Sequence, residues 1–330
     1  MKRREFISLI GGAAAAWPLA ARAQQGERVR RIAVFPLGPE GDQDTQAYIR
    51  MLRQSLDKLG WSDGRNIRID VRWEAGDSAR IPADVEAALG LDPEVIVSGG
   101  TPTTTVLAQR TRTIPIIFVN VGDPVASGLV RSLAQPGGNI TGFTAVESAI
   151  GGKWVELLKE IAPRVERLLL LFDPRNPTSK FHVPTIEAAA SSILALPVTT
   201  APVHSVAEVE SAIGAFSSKP NGGLIALPSP FVRANSAVVI ALAAKYELPA
   251  IYGVRTFVSG GGLMSYGSDW GEQYRQAASY VDRILKGARP SELAVQLPTK
   301  FELAINLKTA KTLGLDVPLH LQQLADEIIE

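Results

Sequence analysis

The stretch Val95-Ile96-Val97-Ser98-Gly99-Gly100-Thr101-Pro102-Thr103-Thr104-Thr105 decides the fold of this chain. Its continuous apolar start is the pattern of a strand buried on both faces, as in a parallel sheet. Thr101 followed by Pro102 is a cap and first-turn pairing that opens a helix. The next strand starts at Ile114-Pro115-Ile116. The same order returns in Leu224 to Leu227, then Pro228-Ser229-Pro230, a helix, and Leu248-Pro249-Ala250. Two copies of one strand-loop-helix grammar predict two similar α/β lobes, each built on a parallel sheet.

Moving outward, Arg31 to Leu37 is another short apolar run, and a Gly/Pro loop with Gly38 follows it. Ile49, Leu52, Leu56 and Leu59 recur at helical spacing, with Asp42 or Asp44 to cap the helix and Gly60 to end it. Ile67, Ile69, Val71 and Trp73 alternate with Arg68, Asp70 and Arg72, which predicts a half-exposed edge strand, whereas Ile116 to Val119 reads as central. A second series runs through Leu168 to Phe172, a helix to about Leu194, Val198 to Val203, a helix from Val206, and Ala250 to Tyr252. Leu263 to Tyr266 and Phe301 to Ile305 are extra strands around an amphipathic helix, Trp270 to Leu285. They make sense if the chain crosses between the lobes three times, near Phe143 to Ser148, Gly260 to Gly262, and Leu297 to Lys300. One lobe is then expected from residues 24–144 with 263–297, the other from 145–262 with 298–330.

The N-terminus reads as an export leader. Lys2, Arg3, Arg4, Phe6 and Ile7 precede an apolar run, Leu9 to Ala21, and Ala21-Arg22-Ala23 is a small-residue cleavage site. The paired arginines resemble a twin-arginine (Tat) leader, with a Sec leader as the alternative, cut after Ala23, so the expected location is the periplasm. The run is too short to span a bilayer. With no cysteine in the chain, a lipid anchor, disulfides, thiolate metal sites and cysteine nucleophiles are excluded together. Removing four cations and Glu5 with the leader takes a net charge of +1 to −2, which does not suit a nucleic-acid binder.

In parallel sheets, ligands bind beyond the carboxyl ends of the strands. The loop Gly99 to Thr105 offers backbone N–H groups, hydroxyls and a helix N-terminus suited to a carboxylate, with Gly100, Thr101 and Thr103 as its candidates. Asp123 in Val121-Gly122-Asp123-Pro124, and Asp173 in Asp173-Pro174-Arg175-Asn176, are candidates for a ligand ammonium, with N-capping the competing role. Gly38, Asn176 and Ser229 occupy corresponding loops, and Phe143, Tyr252 and Tyr266 offer rings beside an aromatic or apolar ligand. Enzyme patterns are weak: Ser55-Leu56-Asp57-Lys58 lies inside a helix without its companion motifs. His182, His204 and His320 fall on separate elements, where surface or packing roles suffice. Gly137-Gly138-Asn139 and Gly260-Gly261-Gly262 are not nucleotide fingerprints. No cofactor, metal or catalytic residue is expected.

Asp123-Pro124-Val125, Gly128-Leu129-Val130 and the run Leu133-Ala134-Gln135-Pro136-Gly137-Gly138-Asn139-Ile140-Thr141-Gly142 resemble the motifs of a family of ABC transporter substrate-binding proteins. Gln296 to Leu303 and Ile305 to Lys311 resemble that family's closing strand and helix. The resemblance covers essentially the whole chain after the leader. It implies a type I periplasmic-binding-protein fold, two Rossmann-like lobes joined by a three-crossover hinge. It also implies a monomeric periplasmic receptor that closes on a small molecule and delivers it to an ABC permease. Some members, the TrpX-like proteins, are associated with tryptophan or another aromatic amino acid, so the expected cargo is an amino acid or another small carboxylate. A ligand-sensing subunit for a membrane receptor and a periplasmic enzyme stay open as alternatives.

Overall fold

The computed structural model describes residues 29–73, 78–145, 150–176 and 178–330. The expected leader and its cleavage site lie outside the described residues. The first sheet holds β1 (Arg30–Phe35), β2 (Ile67–Val71), β3 (Val95–Gly99), β4 (Ile116–Val121) and β5 (Ile140–Thr144) in the order β2-β1-β3-β4-β5, all parallel. Its intervening helices are α1 (Gln43–Lys58), α2 (Ile81–Leu89) and α3 (Thr101–Arg110). β2 takes the edge because its alternating pattern buries Ile67 and Ile69 and leaves Arg68 exposed, whereas β3 and β4 are buried throughout. Asp42 caps α1, accepting from the Thr45 N–H at 2.8 Å.

The second lobe begins with α4 (Ile150–Ile161) and alternates β6 (Arg167–Phe172), α5 (Ser179–Leu194), β7 (Val198–Pro202), α6 (Val206–Phe216) and β8 (Gly222–Ala226). After β8 come α7 (Pro230–Ala234), α8 (Ser236–Lys245), β9 (Ala250–Tyr252), α9 (Thr256–Ser259) and β10 (Met264–Ser268). Helix α10 (Trp270–Leu285) follows, then β11 (Phe301–Asn306), α11 (Leu307–Thr312), α12 (Leu319–Leu324) and β12 (Glu327–Ile329). The sheet order is β12-β11-β10-β9-β8-β6-β7, parallel except where β10 and β11 meet antiparallel.

The expected boundary before Leu263 needs correction. β10 pairs with β9 and β11, so it stays in the second sheet, and the chain crosses only between Ser268 and Trp270. The glycine triplet is a tight turn instead of a crossing. Gly261 has φ 103°, the Gly262 N–H donates to Phe257 O at 2.7 Å, and a Cβ on Gly262 would lie 2.6 Å from the Tyr252 ring. Beyond Ser268, α10 returns to the first lobe, where Tyr274, Ala277 and Val281 pack with Tyr48, Ile49 and Leu52. Gln296 hydrogen bonds with Gly142 and Thr144 of the first sheet before the chain re-enters the second at β11.

Candidate ligand-binding site

Parallel strands end on one rim, so the loops that follow them gather there. The two rims face each other around a cavity of about 420 Å³. The first lobe brings Leu37 and Gly38 after β1, Gly100 and Thr101 after β3, and Asn120 at the end of β4. The second brings Asn176 and Thr178 after β6, Pro228 and Ser229 after β8, and Gly253 after β9.

Helices supply aromatic walls. Trp154 of α4 is fully buried, and its indole Nε1–H donates to Tyr266 O at 2.6 Å, which fixes the ring. His182 of α5 lies 5.2 Å from it, centroid to centroid. Burial pushes the His182 pKa down to about 4, so at neutral pH this imidazole is an uncharged ring. Phe257 stacks on Tyr252 at 4.5 Å, and Trp270 at the start of α10 leans on Tyr48. These four rings, Trp154, His182, Phe257 and Trp270, all line the cavity.

Most polar side chains on the wall are already committed. Thr101 Oγ1 accepts from the Gly122 N–H at 3.2 Å, Asn176 Nδ2 donates to Pro228 O at 2.9 Å, and Ser229 Oγ accepts from the Val232 N–H to cap α7. Asn120 is different. It is 6% exposed, and among the described residues neither its Oδ1 nor its Nδ2 has a hydrogen-bond partner.

The lobes also touch directly. Arg233 of α7 donates to Leu37 O at 2.8 Å, to Asp42 Oδ2 at 2.8 Å and to Thr45 Oγ1 at 3.1 Å, all in the first lobe. Its guanidinium Cζ sits 5.1 Å from the centre of the Trp270 ring. Burial alone would raise the Asp42 pKa, but the Arg233 charge and the Thr45 N–H outweigh it and hold the carboxyl below its ordinary 3.8.

Of the residues expected at the site, Gly38, Gly100, Thr101, Asn176 and Ser229 line the cavity. The others lie elsewhere, and local chemistry explains each. Thr103 is buried on α3 against the interior. Asp123 accepts from the Val125 and Ala126 N–H groups, each at 2.9 Å, which closes a turn between β4 and β5 where no helix follows, so the expected N-cap is a turn instead. Asp173 accepts from the Arg175 N–H and guanidinium at 2.9 Å, so its charge is matched within its own turn. Phe143 packs on Tyr280 at 4.9 Å in the first lobe's core. Tyr252 stands behind Phe257, and Tyr266 stacks on Phe301 while lending its carbonyl to Trp154. Sequence reasoning missed Trp154, His182, Trp270, Arg233 and Asn120. Only Asn120 carried a local signal, a polar residue ending the apolar run Ile116 to Val119 at the crevice rim.

A family model described as ABC transporter substrate binding protein matches residues 42–329. A tyrosine-binding protein of Clostridioides difficile strain R20291 is 26% identical over 278 residues, spanning 84% of this chain and 78% of that one. Among solved structures, a conserved domain protein of Vibrio cholerae O1 biovar eltor is 28% identical with a TM-score of 0.83, covering 91% of this chain and all of that one. An ABC domain from Streptococcus pneumonia in complex with L-Trp has the same fold, at 24% identity and a TM-score of 0.83 over 91% of this chain and all of that one.

Proposed function

This chain belongs to the ABC transporter substrate-binding protein family, and from that premise we propose that it is an exported receptor that closes its two lobes on an aromatic amino acid and presents it to an ABC permease. The observation that carries this reading is the cavity wall, in which Trp154, Phe257, Trp270 and an uncharged His182 surround a volume of about 420 Å³. Flat rings recognise a flat ring by offset or edge-to-face packing, and burying one removes considerable apolar area from water. The start of α3 at Gly100 and Thr101, on the same wall, suits a carboxylate through its N-terminal dipole. The tyrosine-binding relative and the L-Trp complex support the same ligand class.

Thermal unfolding of the protein, refolded free of carried ligand, tests this against L-tryptophan, L-tyrosine, L-phenylalanine, L-leucine, L-lysine and L-glutamate. Ligand at about 100 times its dissociation constant adds about 2.7 kcal/mol, enough to raise the melting temperature by a few degrees. Shifts confined to the aromatic members are expected. A shift from lysine or glutamate alone, or none from the whole panel, would refute the ligand class.

A further inference from the structure

We infer that Asn120 reads the polar head of the ligand, and that its amide makes closure of the lobes conditional on a head offering both a donor and an acceptor. This rests on the cavity being the ligand site. Asn120 lines that cavity with both amide atoms shut away from solvent and without a partner among the described residues. A buried polar group left unpaired loses its hydration without compensation. With the lobes apart, water can satisfy the amide; with the lobes together and no ligand between them, nothing among the described residues does. The amide therefore opposes empty closure, and a ligand that satisfies it removes the opposition.

The residue is held in place. Its φ is 56°, a left-handed conformation that asparagine tolerates better than most side chains. Its N–H donates to Gln273 Oε1 at 2.9 Å, and Gln273 Nε2 donates to Thr144 O at 3.0 Å. Thr144 ends the strand before the first crossing, and Gln273 lies in the first turn of the helix after the second. Asn120 is thus tied to the hinge as well as to the cavity. A residue held at this backbone angle, anchored to the hinge and with unspent hydrogen-bonding capacity on the cavity wall, is where a ligand head can be read.

The amide offers Nδ2–H as donor and Oδ1 as acceptor. An α-amino acid head answers both, with its carboxylate oxygen and its ammonium N–H. A head with only the carboxylate, or only the ammonium, leaves one amide atom stranded. The site should therefore separate L-tryptophan from indole-3-propionate and from tryptamine, which share its ring.

Two variants test this, Asn120→Gly, which removes the amide and accepts the backbone angle, and Asn120→Asp, which keeps the acceptor and loses the donor. Calorimetric titration of wild type is expected to favour L-tryptophan over both analogues by about tenfold or more. In Asn120→Gly both preferences should shrink, and Asn120→Asp should gain affinity for tryptamine relative to indole-3-propionate. Small-angle scattering of the empty proteins should show Asn120→Gly more compact than wild type. If wild type binds L-tryptophan and Asn120→Gly keeps the same affinity and the same preferences, the role of Asn120 is overturned while the receptor reading stands. If wild type binds none of the three, the aromatic reading falls, and the scattering comparison still decides closure: equal compactness of the empty proteins overturns it. Should Asn120→Gly fail to fold, the tryptamine and indole-3-propionate ratio in Asn120→Asp carries the test, and an unchanged ratio overturns the assignment.

Discussion

His182 is 4% exposed against Trp154, and burial lowers its pKa from 6.5 to about 4. Between those values the unfolded chain binds a proton that the folded chain refuses, so stability rises with pH across the window and is lost as pH falls from 6.5 toward 4. A gap of that size corresponds to roughly 3 kcal/mol. The melting temperature should therefore fall between pH 7 and pH 5, and His182→Phe should flatten that slope. An identical slope in the variant would mean that the ring is not the group responsible. The same residue shows where sequence reading of the site stops. The cap expected at Thr101 falls instead on Gly100, and the Thr101 hydroxyl accepts from the Gly122 N–H, but Ser229 was legible because cap chemistry is local, written in adjacent residues. His182 and Trp154 were not, because they sit on amphipathic helices whose cleft-facing positions are chosen by the packing of α4 and α5 on the second sheet and by the opposing lobe. Asp123 and Asp173 misled for the converse reason: a carboxylate before a turn can bind a ligand or its own backbone, and here the backbone claims both.

At the scale of the element, the pair β4 and β5 depends on one glycine. Gly142 has φ 153°, and a Cβ there would lie 2.0 Å from Phe118 O and 2.6 Å from Phe118 N, at the place where the register of the pair shifts. Both obstacles are backbone in a central strand, so neither can swing aside. Gly142→Ala should cost about 3 kcal/mol or more, read as a lower urea midpoint with an unchanged slope. Gly138→Ala, which meets nothing within 4 Å, is the silent control; equal midpoints for the two variants would contradict the packing argument. Elements with clear periodicity, such as edge β2 and buried β3, were legible in the sequence. The partner of β10 was not, because Met264 to Tyr266 would suit either sheet and the preceding glycines serve a turn as readily as a crossing. β12, three half-buried residues with Glu327 among them, is too short for any pattern to mark it.

Across the whole molecule, two opposed terms set the balance between open and closed lobes. The stranded amide of Asn120 resists empty closure, whereas Arg233 favours it by reaching from α7 to Leu37 O, Asp42 and Thr45. The Arg233 and Asp42 side chains are 10% and 19% exposed, so salt screens their pairing only partly. Asp42→Asn isolates the charge, because an asparagine oxygen can still cap α1 at the Thr45 N–H. Losing a charge-assisted hydrogen bond of this kind costs about 2 kcal/mol, roughly thirtyfold in the closed-to-open ratio. The variant should scatter as a larger particle when empty and bind ligand more weakly, with little change in melting temperature, since each lobe keeps its own core. The pH sign follows from the lowered pKa of Asp42: the pairing is complete above 3.8 and is lost as pH falls through the lower value held in the closed form. Acid opening of wild type should therefore begin below about pH 4, under the His182 window, and be missing from Asp42→Asn. If empty wild type and Asp42→Asn scatter alike from pH 7 down to pH 3, the bonds from Arg233 to Leu37 O and Thr45 hold the lobes without the charge, and the balance against Asn120 must be drawn from those neutral contacts alone.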